Sequence, residues 1–377
     1  MSRLANALPD PCPPDAPPAF HAQWCEKFSA YCNRQAELAR ELSRITFERW
    51  KWKFRGKTIF CNSGFEAVEA ALKTAILATG KRRVMAFTGS YHGLGYGTLN
   101  VAHRDYFYGP FRTQLRRFAH FAPFPESRKD LPVVESLIGH FLKRKKVGAV
   151  LVEPVQARGG IMVPPPEFLP LLRKLCDEYD ALLIVDEIYT GFGRTGKWFA
   201  CEHAKTVPDV ICLGKALTGG FPLSACVGRA DLMDAAWPAS SGEAIHTSTF
   251  LGHPVGCAMA LAQLREIAAL GLVERSAELG KLLFSALSSL PLRTQHLKLS
   301  SRGLGLLAGL EVRLRDGSPA TAAALGAIKA LLKRGFVFLP EGEHANVISF
   351  TPPLTISAAQ LRQAVGALGT VLGAGRA

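Results

Sequence analysis

The feature that most constrains this chain is a repeated alternation of short, wholly apolar runs with helix-patterned segments. RVMAF (83–87), GAVLVE (148–153), ALLIVD (181–186) and VICLG (210–214) are rich in Val, Ile and Leu and are bounded by polar or glycine-bearing turns. A run without polar alternation suits a strand buried on both faces. TIFCNSG (58–64) adds a strand that breaks into a turn, and FEAVEAALKTAILATG (65–80) follows with strong helix formers and a terminal glycine stop. EFLPLLRKLCDEY (167–179) is a further helical segment. Strands that alternate with helices in this way predict an α/β fold, a mostly parallel sheet with covering helices.

Outside that region the pattern changes. Residues 1–18 hold six prolines and predict an extended or disordered arm. From 20 to 50 the spacing of Leu38, Leu42 and Ile45 is helical. A helix-rich stretch over 255–292 leads out of the parallel unit. Beyond it come a strand, GLLAGLEVRL (305–314), a helix (320–334), the strands GFVFLP (335–340) and ANVISFT (345–351), and a last helix, ISAAQLRQAVGALGTVL (356–372). That order suits a small α+β domain. The division is an N-terminal arm and helix over 1–45, a large domain over 46–265 and a small C-terminal domain over 266–377.

With 377 residues, 48% hydrophobic and 20% charged, the composition is that of a globular enzyme rather than a disordered or fibrous chain. No apolar run approaches the roughly 20 residues that span a bilayer, and the first residues lack a secretory core. The nine cysteines form no CxxC pair and several sit in apolar runs, which predicts reduced core thiols rather than disulfides or metal ligands. These readings point to a cytoplasmic protein with no membrane partner. The net charge of +14 is spread along the chain, and its short clusters, LKRKK (142–146) and GKRR (80–83), are not interleaved with aromatics. Nucleic-acid binding is therefore not expected.

Chemistry-bearing residues gather where strands end. In open α/β sheets ligands bind just beyond the carboxyl ends of the strands. Asp186 closes one run and Lys215 follows another, so both should face one crevice. A lysine that can form a Schiff base and an acid that can pair with a pyridinium nitrogen are what pyridoxal phosphate requires. Partial burial would help Lys215 lose its proton. Ser63, Gly64 and Phe65 lie where a strand turns into a helix, a natural phosphate site. Tyr91 could offer an aromatic face to a planar cofactor, and His92 beside it could be a loop residue, a stacking neighbour or a base. Glu153 and Gln156 end another strand before a proline stop, and Arg158 follows on a glycine turn. The hydroxyl-rich loop HTSTFLGHP (246–254), with Thr249, suits phosphate contacts.

In order and spacing these blocks resemble the class III aminotransferases, the ornithine, acetylornithine and 4-aminobutyrate type of fold-type I enzymes. The resemblance runs from about residue 37 to 370 and is densest over 148–262, in VEPVQ, VDEIYTGFGRTG, PDVICLGKALTGGFPLSA and HTSTFLGHPVGC. It implies an aspartate aminotransferase-like fold with pyridoxal 5'-phosphate as cofactor. Lys215 would be the Schiff-base lysine, Asp186 the partner of the ring nitrogen and Tyr91 the stacking residue. Gln156 would touch the phenolic oxygen, and Ser63, Gly64 and Phe65 would bind the phosphate. His92 and Glu153 would complete the cofactor pocket. Thr249 would reach the phosphate of a neighbouring subunit, which implies a homodimer with shared sites. The implied reaction moves an amino group from a primary amine, diamine or (ω-)amino acid to an oxo-acid or aldehyde acceptor. A racemase or mutase of the same family, or a degenerate cofactor-binding protein without turnover, are the alternatives.

Three departures bear on the substrate. Relatives carry a longer N-terminal region with a glycine-histidine-proline block, whereas this chain reaches its phosphate turn at residue 62. Ornithine-type relatives have an acid after Glu-Pro-X-Gln-Gly, where this chain has Arg158. They also place a carboxylate-binding arginine just before Phe-X-Pro-Pro-Leu, where this chain has Ser349. Serine cannot grip a carboxylate as a guanidinium does, so Arg158 is the candidate replacement from the opposite wall.

Overall fold

The structure, a computed structural model, describes residues 33–51, 55–238, 243–290 and 296–374. The proline-rich arm and the first part of the 20–50 helical pattern lie outside the described residues. A helix over 33–43 runs into a π-turn, Arg44–Glu48, and buries Leu38, Leu42 and Ile45 as their spacing requires.

Seven strands form the main sheet: β1 (Gly56–Cys61), β2 (Arg83–Phe87), β3 (Ala119–Ala122), β4 (Val147–Val152), β5 (Leu182–Asp186), β6 (Val210–Leu213) and β7 (Ser224–Arg229). Their order is β1-β7-β6-β5-β4-β2-β3. β7 pairs antiparallel with both neighbours, and the remaining pairings are parallel. β3 and β7 were not among the expected strands. The reversal follows from chain length: residues 214–223 are too few for the crossover that a parallel return needs.

Strand side chains alternate between two covered faces. Val84, Ala86, Leu151, Ile184 and Val210 pack with helix α1 (Gly64–Thr79). Met85, Phe87, Val152, Val185 and Ile211 pack with α2 (Leu131–Lys145) and α3 (Phe168–Glu178). Each such aliphatic side chain contributes about 1.5–3 kcal/mol on burial. Both faces being dry explains why the runs show no polar alternation. At the amino ends, buried Asp209 accepts hydrogen bonds from Leu183 N–H (2.7 Å), Arg173 (2.7 Å) and Arg229 (2.8 Å). This clamp fixes β5 to β7 at the end away from the site.

Helix α4 (Pro254–Ala269) belongs to the first core through Cys257, Ala260 and Leu264. In α5 (Leu272–Ser288), Leu272 and Val273 join that core while Leu279, Leu283 and Leu287 join another. The expected boundary at 265/266 falls inside α4, and on this ground we propose that the division lies within α5, between Val273 and Leu279. The second core lies under an antiparallel sheet of order β10-β11-β9-β8. Its strands are β8 (Leu297–Leu304), β9 (Leu307–Leu314), β10 (Leu339–Glu341) and β11 (Val347–Phe350), covered by α6 (Thr321–Leu332) and α7 (Ala358–Ala374).

Two expected strands differ in the structure. The strand expected over 305–314 is the second arm of a hairpin whose first arm, LKLSSRGL, is partly exposed and mixes apolar with polar residues. The strand expected over 335–340 is shifted, because Phe336 and Phe338 pack into the core beside the sheet while Leu339–Glu341 pair with β11. That shift carries Glu341 into the sheet.

Candidate active site

The carboxyl ends of β2, β4, β5 and β6 and the amino end of α1 converge on one cavity of about 340 Å³. Gly64, Phe65, Tyr91, His92, Glu153, Arg158, Asp186 and Lys215 all line it, so one site gathers eight of the residues singled out in the sequence.

The first turn of α1 leaves hydrogen-bonding groups without partners among the described residues. Glu66 turns back to accept from Asn62 N–H (2.6 Å) and Ser63 N–H (3.0 Å). The next two N–H groups, of Gly64 and Phe65, donate to nothing among the described residues, and Ser63 Oγ is buried without a hydrogen-bond partner. These groups lie at the positive end of a long helix. A side chain at Gly64 would meet Ile188 at 3.0 Å, and one at Gly214 would meet the same isoleucine at 3.4 Å. The turn thus packs against an apolar wall that continues to the residue before Lys215.

Asp186 is 5% exposed and has two partners. Its Oδ1 accepts from Ile188 N–H (3.1 Å), and Oδ2 lies 2.8 Å from His92 Nδ1. A carboxylate acceptor places a proton on Nδ1, so the ring is locked in orientation, while its buried Nε2 has no partner among the described residues. Glu153 sits alongside and accepts from Tyr91 N–H (3.1 Å). Burial pushes its carboxyl up to about 7, helped by Asp186 and opposed by His92. The two neighbouring carboxyl groups are thus held differently, Asp186 by His92 and the Ile188 N–H, and Glu153 by the Tyr91 N–H with its pKa raised by burial.

Lys215 has a left-handed backbone (φ +37°) in the 3₁₀ turn that follows β6. The turn throws the side chain into the cavity, where Nζ lies 4.5 Å from the centre of the Tyr189 ring. The amine reaches open space in the cavity yet is ringed by protein. That surrounding burial lowers its pKa, while Asp186 and Glu153 oppose the shift. The low-dielectric wall favours the neutral, nucleophilic amine, while the face of the Tyr189 ring favours its charged form.

Two of the residues singled out lie outside the cavity, and one of them, Thr249, was expected at a neighbouring subunit's site rather than at this one. Gln156 is 2% exposed and does not line the cavity: its Nε2 donates to Thr88 O (2.8 Å), and its own strand segment bridges to Met162. That bond ties its amide to the 88–89 turn. Thr249 is exposed, on the loop joined to the phosphate turn through Asn62 Nδ2 and Ser248 Oγ (3.4 Å), and lies outside this chain's cavity.

Tyr189 is the residue that sequence reasoning missed. It follows Asp-Glu-Ile in a block already singled out, lines the cavity beside Lys215, and its phenol faces Thr351 and Ser349. Burial raises its pKa. The adjacent Glu187 is not part of the site; it accepts from Ala200 N–H (3.0 Å), Cys201 N–H (2.8 Å) and Thr190, and so fastens the 187–201 loop.

Arg158 lines the opposite wall, its guanidinium 5.3 Å from the Tyr91 ring centre and 3.6 Å from Glu341 on β10. Ser349 lies in β11, buried, with its Oγ unpartnered among the described residues. The cavity is lined by residues of the large domain, and the small sheet stands behind that lining, with Glu341 beside Arg158 and Ser349 beside Tyr189.

The chain resembles proteins of known activity over most of its length. A family-wide sequence model described as Aminotransferase class-III matches residues 21–372. A putrescine aminotransferase of Pectobacterium atrosepticum is 37% identical over 329 residues, which cover 86% of this chain and 66% of that protein. An acetylornithine aminotransferase of Methanosarcina mazei is 36% identical over 338 residues, covering 90% and 76%. Among solved structures, a transaminase from the marine bacterium Virgibacillus superposes with a TM-score of 0.81 at 27% identity, covering 90% of this chain and 78% of that one. The ornithine aminotransferase of Toxoplasma gondii gives 0.77 at 27% identity, covering 92% and 81%.

Proposed function

The chain belongs to the class III aminotransferases, a pyridoxal-phosphate-dependent family, and from that premise we propose how its own residues carry the reaction. It moves an amino group from a small primary amine, diamine or amino acid to an oxo acceptor. The observation that carries this reading is the shared cavity of Lys215 and Asp186 at the ends of neighbouring strands, closed at one side by an unpaired helix N-terminus.

The residues present fit pyridoxal phosphate. The N–H groups of Gly64 and Phe65 and the hydroxyl of Ser63 would take its phosphate, and their lack of other partners supports this. Asp186, oriented by His92, would face the ring nitrogen, and Tyr91 would cover the ring. Tyr189, in place of Gln156, stands near the amine that the ring's aldehyde must reach. When bound, the cofactor supplies an electron sink that weakens bonds at the amine-bearing carbon. Lys215 acts twice. Its neutral Nζ would hold the cofactor through its aldehyde carbon, with loss of water, and when free it would serve as the base and acid that moves a proton at the substrate's amine-bearing carbon. The low-dielectric setting of Nζ suits both steps.

Arg158 is the cation proposed to bind substrate carboxylates, since Ser349 cannot. The 245–259 region, with Ile245, Phe250, Val255 and Met259 exposed, supports a homodimer in which Thr249 serves the neighbouring site. The six buried free cysteines among the described residues support a reducing, cytoplasmic setting.

Two assays test the reading. Adding a donor amine without acceptor should leave pyridoxamine phosphate on the protein, detected by chromatography; unchanged pyridoxal phosphate with racemised substrate would favour the racemase alternative. Arg158→Ala should raise the KM for carboxylate substrates by about tenfold. An equal rise for neutral amines would dismiss the role given to Arg158.

A further inference from the structure

The backbone and the side chain of Arg158 are held quite differently. Its carbonyl accepts from Gly342 N–H (3.3 Å), at the β10–β11 turn, and from the guanidinium of Arg104. Two residues on, Gly160 O accepts from Arg302 of β8 (2.9 Å). Gly160 and Gly342 are packed so closely that a side chain on the first would touch the Cα of the second at 3.3 Å. The loop is therefore stapled to the small sheet.

The side chain has one ionic partner among the described residues, Glu341 Oε2, 3.6 Å from Arg158 Nε. Both atoms are buried, and neither makes a hydrogen bond. Glu341 is 3% exposed, whereas the Arg158 side chain is 43% exposed and reaches the cavity. The carboxylate thus meets the guanidinium on its Nε edge. None of the described residues accepts a hydrogen bond from the terminal nitrogens, whose planar fork is what a second carboxylate would bind.

We propose that Glu341 is a specificity-determining positioning residue, which holds Arg158 by its Nε edge so that the terminal nitrogens meet the carboxylate of an oxo-acid or amino-acid substrate. The inference rests on the reading of Arg158 as the anion site. It makes that site a joint product of the two sheets, with a loop of the large sheet giving the cation and an edge strand of the small one aiming it. This role accounts for the burial of Glu341 with no side-chain hydrogen bond among the described residues, since a buried acid can be balanced by nearby cations, Arg158 first and then Arg104 and Lys215. Pre-aiming spares the substrate the ordering of a long, flexible side chain.

The test uses the pyridoxal-phosphate-loaded protein and its Arg158→Ala and Glu341→Gln variants. Binding of hexanoate and of hexan-1-ol is measured by calorimetry, and KM is measured for an oxo acid and for an aldehyde of matched length. Both variants should weaken hexanoate and raise the oxo-acid KM by about tenfold, with changes of less than about twofold for the neutral probes. Selective loss in Arg158→Ala with no change in Glu341→Gln would overturn the role of Glu341 and leave Arg158 standing. Loss without selectivity in Arg158→Ala would remove the premise. Tighter hexanoate binding in Glu341→Gln would show that Glu341 competes with substrate, and would also overturn the proposal. Should Glu341→Gln not fold, Glu341→Asp, which withdraws the carboxylate by one methylene, must show the same selective loss.

Discussion

Replacing His92 with phenylalanine would expose how much of the site is built in advance of any ligand. His92 is 2% exposed, and its Nδ1 lies 2.8 Å from Asp186 Oδ2. Phenylalanine fills a similar volume but removes the donor. Asp186 would retain the Ile188 N–H bond on Oδ1, and Oδ2 would be buried opposite a hydrocarbon with Glu153 nearby. A hydrogen bond to a charged group contributes about 1.5–3 kcal/mol, and leaving such a group buried and unsatisfied costs at least as much. The expected loss in the stability of the cofactor-free protein is therefore about 2–3 kcal/mol, measured by urea denaturation followed by tryptophan fluorescence. His92→Asn supplies the control, because its side-chain NH₂ can donate from nearly the same place and should recover about half of the loss. Equal stability of wild type and His92→Phe, or equal losses in both variants, would refute the view that this hydrogen bond preorganises Asp186.

Other consequences follow from the same geometry. Glu153 is held up to about 7 by burial, above its ordinary value of 4.5. The folded state therefore binds that proton more tightly, and the resulting stability is present below about pH 4.5 and lost as pH rises through about 7. The cofactor-free Glu153→Gln variant should gain on wild type by on the order of 3 kcal/mol between those limits, and a pH-independent difference in denaturation midpoints would contradict the shift. A side chain on Gly305 (φ +55°) would fall 2.4 Å from the Thr195 carbonyl carbon, between the β8–β9 turn and the large sheet's loop. Gly305→Ala should cost about 3 kcal/mol. Gly326→Ala, at an unobstructed position in α6, should gain about 0.5–1 kcal/mol; similar calorimetric melting temperatures for the two would argue against that packing.

The parallel core was readable because its strands are dry on both faces, so a run such as LLIVD needs no partner to be recognised. Helix α1 announced itself through its formers and the left-handed Gly80 at its end. β8 escaped because one face is exposed and its residues are mixed, and β7 because nothing local signals that a strand will run against its neighbours. That Lys215, Asp186 and the turn at Gly64 and Phe65 would share one cavity was legible from where strands end. That Gln156 stays out of the cavity had no signal, because its sequence position shows a strand end but not the direction of the amide, whose Nε2 donates to the Thr88 carbonyl. Tyr189 lay in a recognised block, yet only the turn after β5 shows that it faces Lys215. Glu341 had no signal at all, since its closeness to Arg158 is made by packing between sheets.

The central claim is that Lys215 is the residue that bonds the cofactor. Loading the protein with pyridoxal phosphate, reducing with borohydride and digesting it should yield one pyridoxylated peptide, spanning VICLGKALTGG, with the label on Lys215 by tandem mass spectrometry. A label on another lysine, or an equally labelled Lys215→Ala variant, would contradict the account.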